Sequence, residues 1–136
     1  MLHEGSKEII CIIDDDEVYQ YTATKSIKSS SVVKRVLVFG DGEEAFNYLN
    51  ENLGVREKLP DIIFLDINMP YMDGWEFMEQ FVKIKPKLSK PITVYMISSS
   101  VVPDDIEKAN SISDISDYII KPITQQMFRE ILDTKS

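Results

Sequence analysis

The chain alternates between short apolar runs and longer amphipathic segments. Five runs stand out: Ile9 to Ile13, Val32 to Phe39, Ile62 to Leu65, Ile92 to Ile97, and Tyr118 to Ile120. Continuous apolar runs this short fit strands buried on both faces, as in a parallel sheet. The second run is broken by Lys34 and Arg35, which places it at a sheet edge.

Helical signals fill the gaps. The first segment runs from Asp16 to Ser29. Asp41-Gly42-Glu43-Glu44 has a capping aspartate with an acid three residues on, and Ala45, Phe46 and Leu49 follow at helical spacing. Asp73-Gly74-Trp75-Glu76 repeats the cap, with Phe77, Met78 and Phe81 beyond it, aromatics that read as packing. Pro103 opens a fourth helix at its first position. Thr124 caps a fifth that carries Met127, Phe128, Ile131 and Leu132. Strand and helix thus alternate five times. Parallel strands need crossovers, and these are right-handed, so the pattern predicts a three-layer α/β sandwich with helices on both faces. No linker, repeat or low-complexity stretch divides the chain. Residues 1–136 read as a single domain with its core at about 8–132, and no output domain is expected.

Composition narrows the function. Fifteen basic against twenty-three acidic side chains give a net charge of −8, which argues against direct binding of nucleic acid or of an anionic membrane. Apolar runs of five or six residues do not span a bilayer, so no membrane insertion is expected. Met1 to Ser6 lacks the basic start and apolar stretch of a secretion signal. The single cysteine, Cys11, lies in an apolar run and reads as a small core residue. These features together predict a cytoplasmic protein.

In an open α/β sheet, ligands bind outside the carboxyl ends of the strands. Asp14, Asp15 and Asp16 follow the first run. Asp66 and then Asn68 follow the third, Ser98 to Ser100 the fourth, and Lys121 and Pro122 the fifth. Taken singly, each has an ordinary reading: a solvated turn, a helix cap, a loop or a surface lysine. Their shared position after successive strands is what points to a site. Carboxylates packed together repel unless a cation neutralises them, and an all-oxygen set suits Mg²⁺ where phosphate is also present. A carboxylate can act as a nucleophile and become an acyl phosphate. A lysine supplies point charge to phosphoryl oxygens, and a serine hydroxyl can hydrogen-bond one of them. The set is complete for phosphoryl transfer.

Four motifs carry a family resemblance: Ile12-Ile13-Asp14-Asp15-Asp16; Phe64-Leu65-Asp66-Ile67-Asn68-Met69-Pro70-Tyr71-Met72-Asp73-Gly74; Met96-Ile97-Ser98-Ser99; and Asp117-Tyr118-Ile119-Ile120-Lys121-Pro122. From about Glu8 to Leu132 the chain resembles the receiver domain of two-component response regulators, of the stand-alone, chemotaxis-regulator-like kind. The resemblance implies a doubly wound, flavodoxin-like fold with five parallel strands in the order 2-1-3-4-5 and five helices. It implies that Asp66 is the phosphoacceptor. Asp15 would bind Mg²⁺ (or Mn²⁺) directly, Asp14 through a water, and Asn68 through its backbone carbonyl. It further implies that Lys121 contacts the phosphoryl group, that the Ser98 hydroxyl follows it on activation, and that Tyr118 is the aromatic that turns inward. The Lys121–Pro122 bond is expected to be cis. The implied partners are a sensor histidine kinase or histidine phosphotransfer protein and a downstream protein reached by surface contact. A homodimer is also compatible with the family.

The chain departs from the family pattern in places. Asp16 makes a triple acid and is expected to cap the first helix. Ser98 stands where threonine is commoner. Asn110 to Ile115 replaces the usual Gly-Ala before the fifth strand, so a different loop is expected there. The stretches Asn52 to Pro60 and Lys85 to Pro91 are longer than in compact members, as in stand-alone receivers paired with phytochrome-type or hybrid kinases.

Two alternatives compete. One is a receiver-fold binding or dimerisation module in which phosphorylation is secondary. The other is a Mg²⁺-dependent phosphohydrolase. Asp66-Ile67-Asn68 lacks the second aspartate of the aspartate-nucleophile phosphatases, no Gly-x-Ser-x-Gly frames Ser98, and the only histidine is His3 near the chain start. The reading preferred is therefore a non-enzymatic phosphoacceptor that signals.

Overall fold

A computed structural model describes residues 9–29, 33–99 and 101–133. Strands β1 (Ile9–Ile13), β2 (Arg35–Phe39), β3 (Ile62–Asp66), β4 (Thr93–Ser98) and β5 (Ile115–Ile120) alternate with helices α1 (Glu17–Lys28), α2 (Gly42–Glu51), α3 (Gly74–Ile84), α4 (Pro103–Ser111) and α5 (Gln125–Asp133). The strands are all parallel and lie in the order β2-β1-β3-β4-β5, as expected.

The apolar runs become strands because each residue has a face to fill. Along β1, Ile10 and Ile12 join Ala23 and Ile27 of α1 and Phe128 and Leu132 of α5, whereas Cys11 and Ile13 join Ala45, Leu49, Phe77 and Phe81 of α2 and α3. β3 alternates in the same way, with Ile62 and Phe64 on the first face and Ile63 and Leu65 on the second. Ala109 of α4 also lies on the second face, which completes three layers. β1 and β3 are buried throughout, while β2 and β5, at the two edges, are partly exposed. Lys34 and Arg35 thus mark an edge strand, although β2 begins at Arg35 and not at Val32, which lies outside the described residues. Ser100, His3 and the last residues, 134–136, lie outside them too.

The caps fall where the sequence puts them. Asp41 accepts from Glu44 N at 2.9 Å. Asp73 and Glu76 form a reciprocal capping box, with bonds of 2.8 and 3.0 Å. Thr124 accepts from Met127 N at 3.1 Å, and Pro103 opens α4. The fifth strand is longer than its apolar run: it begins at Ile115, three residues before Tyr118. Ser116 and Asp117 are exposed on this edge, so the polar residues that hid its start are the ones facing solvent. In place of a Gly-Ala loop, α4 runs through Ser111 and a turn closes with Ile115 N donating to Ile112 O at 3.0 Å. At the opposite end of the sheet from the carboxylates, buried Lys90 donates to Leu59 O at 2.6 Å and pairs with Asp61 at 3.3 Å. Asp61 in turn accepts from Ile9 N at 3.0 Å, tying the start of β1 to the approach to β3.

Candidate functional site

The site follows from strand register. Ile13 pairs with Leu65, so the next residues, Asp14 and Asp66, emerge side by side from neighbouring strands. Asp66 itself pairs with Ile97, and Ser98, the next residue on β4, pairs with Ile120. Lys121 follows Ile120 and donates its N–H to Ser98 O at 2.9 Å. Four strand ends therefore deliver Asp14, Asp66, Ser98 and Lys121 to one edge.

The three consecutive acids after β1 part company. Asp14 is buried, and its N–H donates to Phe39 O at 3.0 Å. Asp15 is exposed. Asp16 is the cap of α1, accepting from Val18 N at 2.9 Å and Tyr19 N at 3.2 Å. Carboxylate oxygens of Asp14, Asp15 and Asp66 lie within 4.8 Å of one another. The Lys121 ammonium sits 2.8 Å from Asp14 Oδ2 and 3.5 Å from Asp66 Oδ1. On another side it faces the ring of Tyr19, 4.4 Å from the centroid.

The loop after β3 is held close. A Cβ at Gly74 would stand 2.6 Å from the Asp66 carbonyl oxygen, and Gly74 N donates to Ile67 O at 2.8 Å. Only a residue without a side chain lets α3 start against the end of β3. Gly42 plays the same part for α2, where a Cβ would meet Met72 O at 2.7 Å. Between these anchors Tyr71 adopts a φ of 66°, a left-handed conformation uncommon for a tyrosine, and is 85% exposed.

Charge and burial set the protonation balance. Burial pushes Asp66 up to about 6; the Asp14 carboxylate adds to this, Lys121 opposes it by charge and hydrogen bond, and Asp15 adds a little more. Burial pulls the Lys121 ammonium down, but the hydrogen bond to Asp14 and the charges of Asp66 and Asp14 outweigh it, for a net rise. The Tyr19 phenol is raised, by burial first and then by Asp14 and Asp66, so it is neutral. The ionised form of Asp66 is thus costlier in the fold than in water, although it still predominates at neutral pH. The donor set is all carboxylate, hard and clustered, which fits a hard divalent cation of the Mg²⁺ class.

The residues singled out in the sequence are placed as follows. Asp14, Asp15, Asp66 and Lys121 converge. Ser98 is buried at the adjacent strand end. Asn68 is exposed in the loop two residues after Asp66. Tyr118 is half-buried on β5 and packs on the α2/α3/α4 side of the sheet. The Lys121–Pro122 bond is cis. Phe77 and Phe81 are core, and Trp75 lies under the Lys108 ammonium, 4.6 Å from its ring centroid. Sequence reading missed Tyr19. Its position three residues after a helix cap gives no sign that its ring turns toward the end of β5.

Comparison with known proteins agrees with this geometry. The family model described as "Response regulator receiver domain" matches residues 10–133. A chemotaxis protein CheY from Listeria monocytogenes is 31% identical over 122 residues, covering 90% of this chain and 93% of the relative. A two-component response regulator from Cytophaga hutchinsonii superposes with a TM-score of 0.81 at 30% identity, covering 93% of this chain and 94% of that one. A phosphorylated cyanobacterial phytochrome response regulator, RcpA, superposes with a TM-score of 0.74 at 29% identity, covering 93% of this chain and 90% of that one.

Proposed function

The chain belongs to the response regulator receiver domain family, and from that premise we propose that Asp66 takes a phosphoryl group from a phosphohistidine of a sensor kinase or histidine phosphotransfer protein. The observation that carries this reading is the convergence of three carboxylates on one ammonium, 2.8 and 3.5 Å from two of them. The phosphorylated state of the similar phytochrome response regulator supports it.

Asp14, Asp15 and Asp66, with the Asn68 backbone carbonyl, are the residues that would hold Mg²⁺ or Mn²⁺. A bound divalent cation supplies neutralisation of the carboxylates and orientation of phosphoryl oxygens. The chain's own residues do the rest. A carboxylate oxygen of Asp66 attacks phosphorus, the P–N bond breaks, and the imidazole nitrogen leaves with the electron pair. The product is an acyl phosphate on Asp66. Lys121 turns its ammonium from Asp14 toward the new phosphoryl oxygens, and the Ser98 hydroxyl meets another. Displacement of Ser98 lets Tyr118 turn inward, which biases an equilibrium between two conformations. The changed face is that of α4, β5 and α5, and its reader is a further protein in the cytoplasm. Hydrolysis of the acyl phosphate returns Asp66 to a carboxylate, a self-directed reaction and not turnover of an external substrate.

Incubation with acetyl phosphate and MgCl₂, followed by intact-mass analysis, tests the assignment. The wild type should gain one phosphoryl group and lose the gain with EDTA. Equal phosphorylation of Asp66→Asn would remove Asp66 from its role.

A further inference from the structure

Tyr19 closes a circuit of contacts around the ammonium. Asp14 Oδ1 accepts from Asp16 N at 2.9 Å. Asp16 Oδ1 accepts from Tyr19 N at 3.2 Å. The Tyr19 ring faces Lys121 Nζ at 4.4 Å, and Lys121 Nζ returns to Asp14 Oδ2 at 2.8 Å. The two oxygens of one carboxylate thus hold both ends of a chain that runs through a helix cap and an aromatic face.

The orientation of Tyr19 is not explained by its hydroxyl. That oxygen is buried and has no hydrogen-bond partner among the described residues, although a buried phenol ordinarily finds one. Nor does helix periphery explain it: the neighbouring Val18 and Tyr21 are 75% and 68% exposed, while Tyr19 turns in and packs with the α1/α5 side of the sheet. What the placement achieves is a π face on a side of the Lys121 ammonium that the carboxylates leave open.

We propose that Tyr19 is a positioning residue for Lys121, its ring holding the ammonium over the strand ends so that it can pass from Asp14 to a phosphoryl group on Asp66. The inference rests on the phosphoacceptor reading above. A lysine side chain has four rotatable bonds and, drawn off Asp14, could swing into water. The ring face penalises that escape while giving the ammonium no hydrogen-bond acceptor to compete with the phosphoryl oxygens. A cation–π contact of this kind, partly desolvated, corresponds to about a three- to thirty-fold effect on an equilibrium.

The test is binding of beryllofluoride, formed from BeCl₂ and NaF with saturating MgCl₂, measured by calorimetry on the full chain. Tyr19→Phe keeps the ring and should bind within about twofold of wild type; Tyr19→Leu, apolar but without a π face, should bind about tenfold more weakly. In a Lys121→Met background Tyr19→Leu should cost nothing further, because the ring acts through the ammonium. Thermal melts report folding, and Tyr19→Met replaces Tyr19→Leu if that variant does not fold. Equal binding by wild type and the variant lacking the ring would overturn the proposal. So would a Phe loss as large as the Leu loss, or the same loss with and without Lys121. Failure of the wild type itself to bind beryllofluoride would instead overturn the phosphoacceptor reading.

Discussion

Replacing Asp66 with asparagine should stabilise the metal-free protein while abolishing its proposed role. Asp66 is 6% exposed, beside Asp14 and, among the described residues, within reach of one ammonium, that of Lys121. Its carboxyl is raised from an ordinary 3.8 to about 6, by burial above all. A gap of about two pH units at about 1.4 kcal/mol each means that an ionised Asp66 costs the fold about 3 kcal/mol at neutral pH. That figure is already net of the favourable Lys121 contact. The folded state binds the proton more tightly than the unfolded chain does. The stability contribution is therefore fully present below 3.8 and is lost as pH rises through about 6. Asparagine removes the charge and keeps the shape, and its amide can donate toward Asp14. A gain of about 1–3 kcal/mol is expected for Asp66→Asn in EDTA at pH 7.5, shrinking as pH falls through 6 toward 4. Urea unfolding followed by circular dichroism measures both arms. Saturating MgCl₂ should narrow the gap, because only the wild type offers the full carboxylate set. A variant less stable than wild type at pH 7.5 in EDTA, or a gap that ignores pH, would refute the reasoning.

Two further perturbations probe the loop after β3. Gly74→Ala puts a Cβ 2.6 Å from the Asp66 backbone oxygen; it should cost about 1–3 kcal/mol in urea and slow phosphorylation by acetyl phosphate, because strand end and helix start must separate. Unchanged stability would show that the contact relaxes freely. Tyr71→Asn relieves a tyrosine held at φ 66° with little packing to lose; it should raise stability by about 0.5–1 kcal/mol, whereas Tyr71→Ala should not. Equal gains from both would place the effect in removal of the exposed ring instead.

The fold was legible because its signals are local and mutually consistent. Runs such as Ile9 to Ile13 and Ile62 to Leu65 are apolar at every position because β1 and β3 are covered on both faces. Asp41, Asp73 and Thr124 announce their helices through caps that satisfy backbone N–H groups. The start of β5 was hidden because Ser116 and Asp117, two consecutive residues, both face water on an edge strand where the pairing with β4 skips Ser116, so no alternation marks it. The acidic site was legible through register, since residues just past the ends of adjacent parallel strands must be neighbours. Tyr19, the tie between Lys90 and Asp61, and the close approach at Gly74 were not. Each depends on which way one side chain points, or on how far one backbone lies from another, and neither has a periodicity to read.

The site is organised around an imbalance. Among the described residues, three carboxylates, two of them buried, face one ammonium, which leaves two negative charges in excess. Burial does not remove them; it raises the proton affinity of Asp66, whose carboxyl is taken out of its nucleophilic form as pH falls through about 6. A divalent cation would balance the excess, and the same positive charge would keep Asp66 ionised to lower pH. One electrostatic deficit thus predicts both a lower stability without a divalent cation and, at the proposed phosphoacceptor, a phosphoryl uptake that depends on the metal. Phosphorylation then adds about −1.5 to −2 at the same place, and Lys121 is the one cation in contact with both Asp14 and Asp66 among the described residues. In the proposed reaction that ammonium, already 3.5 Å from Asp66, is the group placed to answer the added charge. Lys121 N also donates to Ser98 O at 2.9 Å, so the backbone that carries this ammonium is tied to the end of β4. That bond joins the segment after β5, the strand that carries Tyr118, to the strand end beside Asp66.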